Sequence, residues 1–335
     1  MGIHRRKSLV LAGDIGGTKT NLGLFSKGKT RPRLERMESF SSRDASNLES
    51  IITRFMDRQD QQITSACFGI AGPIVKGRSK ITNLSWVISK DRIKRYFKWR
   101  RVRLINDLTA TALSVPLLRR EEMYFLNETR KGRAQNLALI APGTGLGQAL
   151  LVYNKGRYIP IASEGGHVDF SPGNEEEVDL WRYMHGRFGH VSIERVLSGS
   201  GLYHIYSWLK ASGKYKEIPS LTKMIHEMDP AKAITQAALS HKSPICRKAL
   251  NVFISILGAV SGNLVLTGMA TGGVYLGGGI PPKILSAIRE GRFMKAFADK
   301  GRFKDLLEKI PVRVILNDKA ALLGAAHCAI EKLEF

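Results

Sequence analysis

Cysteine is scarce: Cys67, Cys246 and Cys328 are the only three, far apart and with no CxxC pair. That excludes a disulfide framework and a zinc knuckle and fits a reducing, cytoplasmic setting. Acidic side chains are also few, 29 against 52 basic ones, which leaves a net charge of +23. Such a balance suits anionic partners, small phosphates, nucleic acid or lipid, and solubility or host chemistry would explain it equally well. Long apolar runs are nearly absent. A long charge-free stretch, residues 252–282, is broken by Ser255, Ser261, Gly262, Asn263 and the glycines from Gly268 onward. It reads as a buried helix feeding a buried strand, not as a membrane span. The opening MGIHRRKSLVLAG has too short an apolar run for a signal peptide, and Arg6 stands where a myristoylation signal needs Ser or Thr.

What remains is an ordinary globular composition, 43% hydrophobic and 24% charged over 335 residues, enough for two domains sharing a cleft. Hydrophobic spacing predicts strands over 8–14, 21–26 and 33–40 and a helix from Asn47 with Leu48, Ile51, Ile52, Phe55 and Met56 on one face. A strand over 63–69, a helix over 92–97 and a strand over 102–105 follow. A meander continued by helix–strand crossovers defines an α/β class with a mixed sheet. Residues 137–157, LALIAPGTGLGQALLVYNKGR, then repeat the plan of residues 9–29, LVLAGDIGGTKTNLGLFSKGK: strand, Gly/Thr loop, strand, Lys-Gly turn. The echo implies a duplicated fold whose two loops face each other across the cleft, where ligands commonly bind. Residues 178–267 are largely helical by pattern.

Consecutive glycines let several backbone N–H groups converge on a phosphate. Three such loops occur, at residues 13–18, 143–147 and 277–279, and after the third Pro281 and Pro282 can start a helix. The Walker spacing fails because Thr18 precedes Lys19 and a strand follows. The dinucleotide pattern fails at Gln148, again before a strand. Asp14, at a strand end, can hold Mg²⁺ through water, and the Thr18 hydroxyl can reach a phosphate oxygen. The alternative is that these glycines only shape tight hairpins.

LINDLTATA places Asn106 and Asp107 between a strand and a helix. Phosphoryl transfer to an alcohol needs a base near the hydroxyl, and Asp107 is the candidate; an N-cap is its competing role. SEGGHVDF sets Glu164 and His167 on one turn and SIERVLSG supplies Glu194, groups able to grip the hydroxyls of a polyol. A metal site is the rival reading of Glu164 and His167, but Gly165 and Gly166 disfavour the helix that Glu-x-x-His spacing serves.

These segments, with GIAGPI, TNLSW, PGTGLGQALLV, YLGGGIPPKI and NDKAALLGAA, run in order over nearly the whole chain and resemble the bacterial glucokinases. The resemblance implies an actin-like (ribonuclease H-like) duplicated fold, with a small α/β domain of residues 1–109 plus about 312–335 and a large α+β domain of residues 110–311. It implies ATP-dependent phosphorylation of glucose at the C6 hydroxyl, the first step of glycolysis, with Asp107 as base. Asn106, Asp107, Glu164, His167 and Glu194 would hold the sugar. Gly13, Asp14, Ile15, Gly16, Gly17, Thr18, Thr144 and Gly145 would embrace the ATP phosphates, with Gly277, Gly278 and Gly279 near adenosine and Mg²⁺ by Asp14 through water. A cytoplasmic homodimer without membrane attachment is the implied form. The cysteine-rich zinc motif of related sugar kinases and repressors is missing, which points to the zinc-free branch.

KDRIKRYFKWRRVRL, residues 90–104, interleaves eight cations with Tyr96, Phe97 and Trp99, as nucleic-acid surfaces do. The favoured reading is an amphipathic helix with a solvated basic face and Ile93 and Phe97 inward, so nucleic acid is not an expected partner. A sugar-sensing repressor is disfavoured as well, because the dozen residues before the first loop are too few for a helix-turn-helix.

Overall fold

The computed structural model describes residues 9–57, 63–81, 84–127, 134–161, 163–215 and 219–331. Arg6, Ser8, Thr82 and Asn83 lie outside the described residues.

In chain order the elements begin with β1 (Leu9–Ile15), β2 (Lys19–Ser26), β3 (Arg33–Ser41), α1 (Leu48–Met56), β4 (Ile63–Ile70), β5 (Arg78–Lys80), β6 (Val87–Ser89), α2 (Lys90–Tyr96), β7 (Arg101–Asn106) and α3 (Asp107–Ser114). Next come β8 (Met123–Phe125), β9 (Leu137–Pro142), β10 (Leu146–Asn154), β11 (Arg157–Ile161), α4 (Glu175–Phe188), α5 (Gly199–Ala211), α6 (Pro219–Glu227), α7 (Pro230–Leu239) and α8 (Pro244–Gly268). The chain closes with β12 (Gly273–Leu276), α9 (Leu285–Ile288), α10 (Arg292–Ala298), α11 (Lys304–Glu308), β13 (Val312–Ile315) and α12 (Ala320–Ile330).

Contacts divide the chain into a unit of residues 1–119 with 317–335 and a unit of residues 120–316. The expected boundaries at 109/110 and near 312 are therefore displaced. Residues 110–114 complete α3, which packs on α12 in the first unit. β13 stays with the second because Val312 and Val314 pair with Val274 and Leu276 of β12.

The first unit's sheet runs β3-β2-β1-β4-β7, antiparallel through the meander and parallel from β1 onward. β1 is central and buried nearly throughout, as a strand covered on both faces should be. α1 covers one face with Leu48, Ile51, Ile52 and Phe55, its N-cap Asn47 accepting from the Ser50 N–H. α3 and α12 cover the other, around Ala110, Leu113, Leu322 and Ala326.

The second sheet runs β11-β10-β9-β12-β13-β8. Its first five strands repeat the order and direction of the first sheet, meander then parallel pair, and β8 adds an antiparallel edge. The duplication read from the echoing loops is thus present in the strand order. α8 is long and apolar enough to cross a membrane, yet 67% of its most apolar window is buried. With Phe253, Ile254 and Leu257 fully covered it is the core helix of this unit, apolar all round for that reason. Pro281 does not start a helix; residues 281–284 form turns, and α9 begins at Leu285.

Candidate active site

The first unit carries one glycine hairpin and the Asp107 carboxylate. Gly13 is a buried strand residue, and a Cβ there would stand 2.5 Å from Phe68. It shapes the root of the loop and offers no face to a ligand, and the Ile15 side chain is likewise fully buried. Beyond them residues 16–18 turn, pinned from outside by Ser42. Its N–H donates to the Thr18 carbonyl at 2.9 Å and its hydroxyl to the Gly16 carbonyl at 2.8 Å. The Gly16 N–H is used inside the loop, on the Lys19 carbonyl. The N–H groups of Gly17 and Thr18 have no partner among the described residues, as an anion-binding turn requires.

Asp14 stands opposite Asn21 on β2 and Gly69 on β4. Asn21 Nδ2 donates to Asp14 Oδ2 at 3.4 Å, and Ser39 Oγ orients Asn21 from 2.7 Å. Burial holds the Asp14 carboxyl above its ordinary value against the opposing pull of Asn21 and Lys19. Such a carboxylate gains from a cation beside it. Among the described residues no cluster of three or more His, Cys, Asp or Glu could hold a metal. A single carboxylate with water and phosphate ligands is how Mg²⁺ is usually held, so Asp14 fits that ion.

At the end of β7 the cap is Asn106, not Asp107. Asn106 is the N-cap of α3, its Oδ1 accepting from the N–H of Leu108 at 2.9 Å and of Thr109 at 3.4 Å. Asp107 is the first helical residue; its Oδ1 accepts from the Leu108 N–H at 2.8 Å, and Oδ2 has no partner among the described residues. Burial chiefly, and the neighbouring Asp14 charge in addition, push the Asp107 carboxyl up despite the Leu108 hydrogen bond. A half-buried carboxylate with an open oxygen and a raised proton affinity is suited to take a proton.

The second unit gathers the other groups. The β9–β10 hairpin turns through residues 143–145, with the Gly143 N–H on the Gly145 carbonyl at 2.8 Å. The N–H groups of Thr144 and Gly145 have no partner among the described residues, which matches Gly17 and Thr18 in the first unit. Glu194 braces this turn: its Oε2 accepts from the Leu146 N–H at 2.8 Å. Glu164 and His167 lie on a 3₁₀ turn, exposed, with the His167 N–H on the Glu164 carbonyl. Gly166 lets that turn seat on β10, since a Cβ would stand 2.3 Å from the Leu146 carbonyl oxygen. The third loop joins the second: Gly278 has φ +78°, and a Cβ would strike the Pro142 carbonyl at 2.5 Å. Thr144, Gly145, Glu194, Gly278 and the Glu164–His167 turn are therefore neighbours within one unit.

Several contributors were not found from sequence. Ser42 lies in a segment without a motif. Ser198 caps α5, and its follower Gly199 donates to the Gly143 carbonyl at 2.8 Å, bringing the positive end of a helix to the second loop. The Ser-Gly-Ser-Gly run was a legible cap signal. Gln148 is buried beneath Gly165, its Nε2 without a partner among the described residues.

A five-strand order used twice, each copy headed by a hairpin whose turn N–H groups have no partner among the described residues, matches the actin-like sugar-kinase fold. Comparison with known proteins narrows the class. The glucokinase family model matches residues 11–332. Glucokinase of Nostoc punctiforme is 37% identical over 96% of this chain and 99% of its own. The chain belongs to the glucokinase family. Among solved structures, glucokinase from an Antarctic psychrotroph superposes with a TM-score of 0.87 at 29% identity, covering 96% of this chain and 98% of that one. Glucokinase from Balamuthia mandrillaris in complex with glucose shares the fold, with a TM-score of 0.78 at 21% identity over 96% and 94% of the two chains.

Proposed function

We propose that the chain transfers the γ-phosphoryl group of ATP to the C6 hydroxyl of glucose, releasing glucose 6-phosphate and ADP. The observation that carries the assignment of the base is Asp107, relieved of capping by Asn106 and left with an open oxygen and a raised pKa. Asp107 takes the proton of the C6 hydroxyl as its oxygen bonds to phosphorus and the bond from phosphorus to the ADP oxygen breaks. Asn106, Glu164, His167 and Glu194 hold the remaining hydroxyls, where ionised acceptors make the stronger bonds.

The free N–H groups at residues 17–18 and 144–145 hold the phosphates, with the N-terminus of α5 adding its dipole, and residues 277–279 lie by adenosine. Asp14 would hold Mg²⁺ through water, an ion that neutralises charge developing on the phosphoryl oxygens. The working form is a cytoplasmic homodimer, not attached to a membrane, serving the first step of glycolysis. Family membership and the sequence resemblance support that reading.

A coupled ADP-release assay with purified protein, Mg·ATP and a panel of hexoses tests the proposal. Glucose is expected to be the best acceptor, with phosphate found on C6. Preference for another hexose, or ADP release indifferent to sugar, would contradict it.

A further inference from the structure

Residues 72–100 hold nine basic side chains and a single acidic one, Asp91, and the fold of the first unit gathers them. β5 and β6 form a short ladder, Arg78 opposite Ser89 and Lys80 opposite Val87. α2 follows at once, with the Lys90 N–H on the Gly77 carbonyl at 3.0 Å and its stem laid over Gly77. Lys76, Arg78, Lys80 and Lys90 are exposed around that hairpin. Lys94, Arg95, Lys98 and Arg100 are exposed on and beyond the helix.

None of these eight forms an ion pair among the described residues. The nearby Glu49 is consumed by Arg92, which donates to it from Nε at 2.6 Å and Nη2 at 3.0 Å. Ile93 and Phe97 do pack inward, as the sequence suggests. Tyr96 does not. It is 63% exposed, its ring edge-on to Phe97 at 4.8 Å, and Phe97 stacks on buried Trp99 at 4.7 Å. A solvated helix face accounts for the lysines but not for an exposed ring set against Phe97, which is itself stacked on Trp99.

We propose that this surface binds single-stranded nucleic acid, with backbone phosphates on the cations and a base stacked on Tyr96. The activity assigned above does not use it. A bilayer is the poorer fit, because interfacial helices present an apolar face outward and here Ile93 is fully buried.

Fluorescence anisotropy with labelled RNA and DNA oligonucleotides of mixed sequence tests this, with one arm for each sugar. Binding is expected to weaken with salt, with a log–log slope of about −3 for four to five phosphates at roughly −0.7 each. Tyr96→Ala should weaken it by about fivefold or more, the worth of one stacked base, while Tyr96→Phe retains it. The triple variant Lys94→Glu, Arg95→Glu, Lys98→Glu should lose binding at about 0.15 M salt. Unchanged glucose phosphorylation by the triple variant shows that it is folded. The proposal is overturned if neither oligonucleotide binds, if the triple variant binds as the wild type does, or if Tyr96→Ala has no effect. Sedimentation with phosphatidylserine vesicles in place of oligonucleotide binding would overturn it too.

Discussion

Asp107 owes its position to two glycines, and replacing one of them should disable the enzyme from a distance. α3 is seated between Gly69, where a Cβ would stand 2.9 Å from Ala110 Cβ, and Gly324 on α12. A Cβ at Gly324 would stand 1.7 Å from the Ala110 carbonyl oxygen and 3.0 Å from the Ser114 nitrogen, both backbone atoms with no rotamer to yield. Restoring ordinary contact in Gly324→Ala requires α3 and α12 to part by roughly 1.5 Å. Overpacking of this kind costs about 1–3 kcal/mol of stability. Asp107 lies one turn from Ala110, and a misplacement near 1 Å at a reacting group costs about a hundredfold in rate. We therefore expect kcat in the coupled assay to fall by about ten- to a hundredfold, with KM for ATP unchanged. Gly186→Ala is the control: nothing lies within 4 Å of a Cβ there, so it should gain about 0.5–1 kcal/mol at full activity. A folded Gly324→Ala enzyme with kcat within about threefold of wild type would refute the reasoning.

Three further expectations follow from single side chains. Asp107→Asn should melt higher than wild type at neutral pH: the folded-state pKa is raised above its ordinary 3.8, so the charged form costs stability that grows as pH rises through the folded value and vanishes below the unfolded one. Calorimetry across pH checks this, and a lower melting temperature at neutral pH would contradict it. Glu164→Ala should raise KM for glucose alone, whereas Glu194→Ala, which also frees the Leu146 N–H, should raise KM for both substrates; steady-state kinetics with identical profiles for the two would reject the division. Ser42→Ala removes the hydroxyl that holds the Gly16 carbonyl, worth about 1 kcal/mol, and should raise KM for ATP about fivefold; an unchanged value would show that the loop does not depend on it.

What could be read from sequence was local or repeated. The two hairpins announced themselves because strand, glycine turn and strand are contiguous, and their echo carried the duplicated strand order. Asn106 and Asp107 are both strong capping types, so spacing could not say which would cap; the extended backbone of Asn106, φ −63° and ψ 149°, decides it. Pro281 was a fair helix signal overridden by residues 281–284, which stay in turns after the left-handed Gly278. The contact boundary falls after β13 because that strand stays with its ladder partner β12, which lies more than thirty residues earlier. Ser42 on Gly16 and Glu194 on Leu146 act across 26 and 48 residues, beyond any local pattern.

The central claim is that Asp107 removes the proton from the sugar hydroxyl. Turnover of Asp107→Ala with glucose and Mg·ATP, in protein shown to be folded, measures it most directly. A fall of about a hundred- to ten-thousandfold is expected of a lost general base. A fall smaller than about tenfold would contradict the account.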